Sequence, residues 1–257
     1  MAKVINWISL VALLALVLLD QTRDVPLWTY ITLGLLFLLV QVFGSAVLSA
    51  QFYLPVFSTG GKMSNEIALT FDDGPVPDRT EGILDILKHH NVPATFFCIG
   101  KHVEAHPQIV RRMHEEGHLV ANHSYFHRAT FDLQSAAAIA TELNSTDLAI
   151  TRVVGSRPRF FRPPYGVTNP MVASAVRNGN YLTIGWSIRS FDTVIEDRTR
   201  LLRRLTRSLS GGDIILLHDQ GKCTTDVLSE LIQQVTALGL RIVRVDKLIN
   251  EKGYEQV

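Results

Sequence analysis

Two uncharged apolar runs open the chain, residues 4–19 and residues 25–61, separated by the polar connector Asp20-Gln21-Thr22-Arg23-Asp24. Beyond them the pattern changes. Short runs rich in apolar and β-branched residues alternate with longer stretches whose apolar positions recur at helical spacing. The short runs predict strands over residues 66–71, 94–99, 118–122, 159–162, 181–186, 213–217 and 240–245. The intervening stretches predict helices over residues 80–90, 107–116, 131–154, 170–178, 199–210 and 225–238. Gly100, Gly117, Gly179 and Gly239 stand at the joints, where helix ends and turns call for glycine.

Strands alternating with helices along the chain predict a parallel sheet covered by helices. An open doubly wound sheet and a barrel both satisfy that pattern. The placement of the candidate site residues favours the barrel: Asp72, Asp73, His123, Arg162, Tyr165, Trp186 and His218 all fall at or just past the ends of successive predicted strands. In a barrel those ends converge on one face. No Gly-x-Gly-x-x-Gly or P-loop pattern follows the first strand, which removes the main nucleotide-binding reading.

The first apolar run would span roughly 24 Å as a helix, somewhat short of a ~30 Å hydrocarbon core, and the second is long enough to cross with tilt. A cleaved signal peptide is the alternative for the first run. However, Leu18-Leu19-Asp20-Gln21 offers no small-residue cleavage site, and a second apolar segment follows almost at once. The expected organisation is therefore a two-helix membrane anchor over residues 1–57, a linker over residues 58–65 and a catalytic domain over residues 66–257, with residues 4–19 and 27–50 in the lipid bilayer. An even number of spans places the N-terminus and the domain on one side. Lys3, Arg23, Lys62 and Arg79 are too few to orient the hairpin.

Charge adds little. The 257 residues carry 25 Lys+Arg against 24 Asp+Glu, and only Lys3, Asp20, Arg23 and Asp24 precede residue 58. No basic excess calls for a nucleic-acid partner. Cys98 and Cys223 form neither a disulfide framework nor a ligand cluster, and Cys98 reads as a small core residue.

The candidate chemistry begins in Thr70-Phe71-Asp72-Asp73-Gly74-Pro75. Adjacent residues of a strand point to opposite faces, so both carboxylates can enter one site only if the strand ends there, and Gly74-Pro75 supplies an ending. In His123-Ser124-Tyr125-Phe126-His127 the i,i+4 spacing places both imidazoles on one side of a helical turn. One carboxylate and two imidazoles can hold a divalent metal with an open position, leaving the other carboxylate as a base. His89, His90, His102, His106 and His114 lie in polar stretches and read as solvated surface. Arg162, in Arg162-Pro163-Pro164-Tyr165, can pair with a carboxylate and keep it ionised, and the Tyr165 amide is the first backbone donor after two prolines, a candidate for an oxyanion hole. His218 closes a buried-strand pattern and could protonate a leaving amine, with Asp219 orienting it.

In this order the segments resemble the polysaccharide deacetylase family, the NodB-homology domain of carbohydrate esterase family 4. Its motifs are similar to residues 70–75, 123–127, 162–165, 186–192 and 216–218, and the resemblance covers nearly all of the chain after residue 65. It implies a distorted (β/α)7-type barrel that removes N-acetyl groups from amino-sugar polymers such as peptidoglycan, chitooligosaccharide or exopolysaccharide. A metal-dependent amidase acting on a small nonsugar amide and a noncatalytic sugar-binding relative are the alternatives. By position, Asp73, His123 and His127 would bind a divalent metal, zinc first and cobalt, manganese or nickel after it. Asp72 would be the general base, Arg162 its tether, the Tyr165 amide an oxyanion donor and His218 the acid. Trp186, Leu216 and Pro164 would line the pocket, with Asp192 and Asp219 behind the reacting groups. The fourth motif departs from the common form: Arg189 stands where many members carry aspartate and Thr193 where they carry tryptophan, while Asp192 is retained. Such substrates lie outside a bacterial cytoplasmic membrane, which places the expected domain on its external side.

Overall fold

The computed structural model describes residues 1–61 and 65–255; Lys62, Met63 and Ser64 of the expected linker lie outside the described residues. After helices α1 (Ala2–Asp20) and α2 (Leu27–Ala46), the strands are β1 (Glu66–Asp72), β2 (Thr95–Cys98), β3 (Leu119–Asn122), β4 (Phe160–Phe161), β5 (Leu182–Thr183), β6 (Ile188–Arg189), β7 (Ile214–His218) and β8 (Arg241–Ile242). Between and after them run α3 (Arg79–His90), α4 (Gly100–Ala105), α5 (Pro107–Glu115), α6 (Ala136–Val154), α7 (Pro170–Asn178), α8 (Arg198–Thr206), α9 (Thr224–Ala237) and α10 (Val245–Leu248).

All strand pairings among the described residues are parallel, in the order β5-β4-β3-β2-β1-β7-β6, with β8 added against the start of β1. The sheet curls into an incomplete barrel. Neighbouring helices follow the same order outside it, α7, α6, α5, α3, α9 and α8. Period-two alternation sorts β1 between two cores. Ile67, Leu69 and Phe71 pack outward with helix residues such as Ile83, Leu84 and Leu231. Ala68 faces the barrel interior with Phe97, Ala121, Phe160 and Ile214. Two and four residues on, Thr70 and Asp72 continue that interior column toward the C-terminal mouth, as Arg162 follows Phe160 and Leu216 and His218 follow Ile214. The mouth is thus where interior positions turn from apolar to chemical.

Three elements were absent from the sequence pattern. β6 is only two residues long, α4 is a single short helix opening on Gly100, and the strand expected over residues 240–245 is cut to β8, with α10 starting at its expected last residue, Val245. Short elements carry too few apolar positions to show a period.

The N-terminal pair forms an antiparallel hairpin. Both helices are long and apolar enough to cross a membrane, with mean hydropathy 2.3 and 1.9. Asp20 Oδ1 accepts from the Val25 amide at the turn, and Gln41 Nε2 donates to Asn6 Oδ1 across the interface. The second helix ends at Ala46, short of residue 50, and Leu48–Ala50 is a separate 3₁₀ turn. From there the chain joins the barrel. Leu48, Leu54 and Val56 are buried with Phe161, Leu143 and Val172. Phe57 donates to the Thr183 carbonyl and accepts from the Gly185 amide, and the Gly60 amide donates to the Gly212 carbonyl. Residues that read as the end of the anchor and the start of a linker therefore strap the open side of the sheet, from β5 to the turn that leads into β7.

Candidate active site

Asp72 is the last residue of β1, and Asp73 has left-handed backbone geometry (φ 73°), which swings the second carboxylate back over the mouth. Gly74 follows because a Cβ there would lie 2.1 Å from the Asp219 carboxylate. His102, read from sequence as solvated, is half-buried, and its Nδ1–H donates to the Asp73 carbonyl at 3.0 Å, holding the turn.

The two histidines do not share a helical turn. Residues 123–127 form a loop in which Ser124 (φ 64°) and His127 (φ 52°) are both left-handed. Its own polar groups hold it: Asn122 Oδ1 accepts from the Ser124 amide, Ser124 Oγ accepts from the His127 amide, and the Glu142 carboxylate accepts from the Tyr125 and Phe126 amides. The spacing suggested that the two rings meet, and they do, but through a loop and not a helical turn. The loop folds both rings over Asp73, whose Oδ1 lies 3.5 Å from His123 Nε2 and 3.3 Å from His127 Nε2.

These three side chains offer one ligand atom each, all within 4.8 Å of one another. Two observations fit them to a divalent cation. Asp73 Oδ1 is buried with no hydrogen-bond donor among the described residues. His123 Nδ1 sits 2.8 Å from the Arg162 carbonyl, which can only accept, so the ring proton is on Nδ1 and the Nε2 lone pair faces Asp73. Burial, reinforced by His123, pushes the His127 imidazole down to about 4. It is therefore neutral, as a ligand must be. Burial alone would raise the Asp73 carboxyl; positive charge at the imidazoles, with a hydrogen bond from His123, outweighs it and holds the carboxyl well below the usual carboxylate range, so cationic charge at this spot favours the carboxylate.

Asp72 is separated from this cluster by its partner. Arg162 is fully buried; it donates to Asp72 Oδ1 at 2.7 Å, to Thr70 Oγ1 at 2.8 Å and to the Ile184 and Gly185 carbonyls. Its plane lies over the Phe97 ring at 4.1 Å. A guanidinium so bonded stays charged and fixes one oxygen of Asp72, while Oδ2 lies 3.8 Å from His123 Nε2.

Across the mouth, His218 Nδ1 is 2.7 Å from Asp192 Oδ1, which leaves Nε2 for the cleft. Asp192 also accepts from the His218 amide, Ser190 Oγ and Thr224 Oγ1. Burial pushes the His218 imidazole down, but Asp192 and the charge of Asp72 outweigh it, and the net shift is upward. The residue that orients His218 is thus Asp192; Asp219 does not touch it. Asp219 is buried and accepts from Thr80 Oγ1, and burial together with the charges of Asp73 and Asp72 pushes its carboxyl up to about 7.

Asp72, Asp73, His123, His127, Leu216 and His218 line one cleft of about 380 Å³, walled by Trp186 and the half-exposed ring of Tyr165. The proline at the wall is Pro163; Pro164 is buried and does not reach it. Sequence reasoning missed His102, Asn122, Glu142 and Thr70. Only Asn122 carried a signal, standing at a strand end beside His123.

A family model described as polysaccharide deacetylase matches residues 59–184. The chain is 31% identical over 200 residues to the peptidoglycan-N-acetylmuramic acid deacetylase PdaA of Bacillus subtilis, covering 76% of each protein. The chain belongs to the polysaccharide deacetylase family. It is also 36% identical over 191 residues to the peptidoglycan-N-acetylglucosamine deacetylase PgdA of Listeria monocytogenes, a match that covers 74% of this chain but only 40% of the length of PgdA. The solved Bc1960 peptidoglycan N-acetylglucosamine deacetylase superposes with a TM-score of 0.74 at 30% identity, over 78% of this chain and 95% of that one. Within this polysaccharide deacetylase fold, the departure in the fourth motif falls on the rim: Arg189 and Thr193 both line the cleft above Trp186 and Leu216.

Proposed function

We propose that the protein is a metal-dependent N-deacetylase acting on acetylated amino-sugar polymers of the bacterial cell envelope. The observation that carries this reading is the convergence on one cleft of the Asp72–Arg162 pair, the Asp73–His123–His127 cluster and the His218–Asp192 pair. Amide hydrolysis needs a base for water, stabilisation of the developing oxyanion and an acid for the departing amine. A divalent cation held by Asp73, His123 and His127 supplies Lewis acidity toward the amide carbonyl and its attacking water, and the mixed carboxylate–imidazole set suits zinc first, with cobalt, manganese or nickel as substitutes.

Asp72, held at Oδ1 by Arg162, takes the proton of the attacking water at Oδ2, the oxygen Arg162 leaves free. The Tyr165 amide, in a backbone held at φ 59° after two prolines, donates to the oxyanion. His218 carries a proton to the leaving nitrogen, and Asp192 holds its Nδ1–H so that Nε2 delivers it. Trp186 and Leu216 shield the acetyl methyl from water. The hairpin of α1 and α2 anchors the domain on the external face of the cytoplasmic membrane, next to such polymers. The names of PgdA, PdaA and Bc1960 support peptidoglycan as the substrate.

Acetate release by the full-length protein in detergent micelles tests the reading, with peptidoglycan, chitooligosaccharides and acetylated exopolysaccharide offered with and without chelator. Acetate formation that stops on chelation and returns on adding zinc is the expected result. Activity that survives thorough chelation, or persists in His123→Ala, removes the metal from the reaction. Turnover of simple cyclic amides without any glycan makes the protein an amidase, and glycan binding without release makes it a binding module.

A further inference from the structure

β6 ends on Arg189, paired in register with Leu216 of the cleft wall. The Arg189 guanidinium stands over the Trp186 ring at 5.7 Å and the Phe191 ring at 4.7 Å. Arg204 of α8 lies over the same Phe191 ring at 4.4 Å, and its Nε–H donates to the Arg189 carbonyl at 2.7 Å. Phe191 is itself held in a left-handed backbone (φ 59°), a strained geometry for an aromatic residue that presents its ring at the surface between the two cations.

The carboxylates near this rim are already committed. Asp192 is bonded to His218, Ser190 and Thr224, and Glu196 is paired with Lys222. Among the described residues none lies within ion-pair distance of Arg189, although it lines the cleft. An isolated surface arginine is ordinarily solvated and undirected. Here two aromatic rings lie within about 6 Å of the guanidinium, and no acceptor among the described residues takes its side-chain N–H groups, an arrangement suited to a bidentate anion.

We propose that Arg189, backed by Arg204, is a specificity-determining residue that reads a carboxylate on the glycan, so that carboxylate-bearing amino-sugar polymers are preferred over neutral ones. The inference rests on the deacetylase reading above. Asp72 and Asp73 at the floor favour a singly charged carboxylate over a phosphate dianion, which would meet both aspartates with doubled repulsion. Two sources supply that carboxylate. One is the ether-linked acid of N-acetylmuramic acid, on the acetylated ring itself; the other is a peptide attached to that acid.

The test uses full-length protein loaded with zinc and three glycans of matched length: chitooligosaccharide, peptidoglycan chains stripped of their peptides, and chains that retain them. The wild type is expected to favour a carboxylate-bearing glycan over chitooligosaccharide by about tenfold or more in kcat/KM. In Arg189→Gln that ratio should collapse to about twofold or less, through KM rather than kcat, while Arg189→Lys keeps part of it. Raising the salt from about 0.05 to about 0.5 M should shrink the ratio in the wild type and leave it flat in Arg189→Gln. A preference for stripped chains assigns the ether-linked acid, and a preference for peptide-bearing chains assigns the peptide. An unchanged ratio in Arg189→Gln, or an equal loss on all three glycans, overturns the inference and leaves the deacetylase reading standing. A wild type that releases no acetate from any glycan overturns the reading instead. Binding of the same glycans, followed by tryptophan fluorescence in wild type and Arg189→Gln, then decides the role of Arg189 without turnover: an equal affinity for neutral and acidic chains rejects it.

Discussion

At the floor of the cleft each carboxylate faces a protein group of opposite or inducible charge: Asp72 faces Arg162, Asp73 faces two imidazoles, and Asp192 faces His218. At its rim, a few residues away, the Arg189 guanidinium lies beside aromatic rings, with no carboxylate of the described residues paired with it. The floor is buried and the rim is exposed. A buried ion pair adds little net stability, because desolvation offsets the attraction, but it fixes which group is charged and where it points. A solvated charge keeps its attraction available for whatever enters. The floor is therefore suited to chemistry and the rim to selection.

The largest effect expected from breaking the floor is loss of the base. Asp72→Asn should lower kcat/KM by about 10²–10⁴, the range typical of removing a general base, with kcat carrying the loss. Acetate release at saturating glycan checks it, and residual turnover above about a tenth of wild type would assign the proton transfer elsewhere.

The pair also predicts an asymmetry in stability. Arg162→Met strands Asp72 in a buried site and should destabilise the fold by about 3–5 kcal/mol, whereas Arg189→Met at the exposed rim should stay within about 0.5 kcal/mol. Denaturation midpoints of the two variants measured side by side decide this. Equal shifts would erase the distinction between floor and rim.

A smaller effect concerns the acid. Asp192 is a main cause of the upward shift of His218, which outweighs the downward pull of burial. A raised imidazole keeps its proton to higher pH, so the acid form survives further into the alkaline range. Asp192→Asn removes that support, and the alkaline limb of kcat should move to lower pH, with about tenfold less activity on the basic side. A limb that does not move would exclude His218 as the group that limits it.

Strand-end placement made the barrel and the meeting of Asp72, His123, Arg162 and His218 legible in the sequence, because interior columns of parallel strands lead to one mouth. The closure of the fold was not legible. Leu48, Leu54 and Phe57 sit in an uncharged run whose composition matches a membrane helix, and only the open side of the sheet beside β5 turns them into a strap. In the sequence the loop over residues 123–127 is indistinguishable from a helical turn, because i,i+4 spacing is also what two left-handed residues and a buried Glu142 produce when they fold a loop back on itself. Adjacency in sequence points to Asp219 as the partner of His218. Alternation sends neighbouring strand-end residues to different sides, and the partner came from Asp192, outside the strands.

Tyr165 tests the boundary between the two regions most finely. Its amide belongs to the chemistry of the floor in the mechanism above, while its ring is half-exposed at the rim and lies 4.8 Å from the ring of His127. If the amide is what matters, the hydroxyl is dispensable. Tyr165→Phe keeps the backbone and the ring over His127 and should change kcat/KM by no more than about twofold. Tyr165→Ala keeps the N–H and the same φ 59° backbone but removes the ring that lies 4.8 Å from His127. Its loss should therefore exceed that of Tyr165→Phe and appear in metal retention, read by zinc titration, before it appears in kcat. A loss of tenfold or more in Tyr165→Phe would instead bring the hydroxyl into the reaction and move Tyr165 from the rim to the floor.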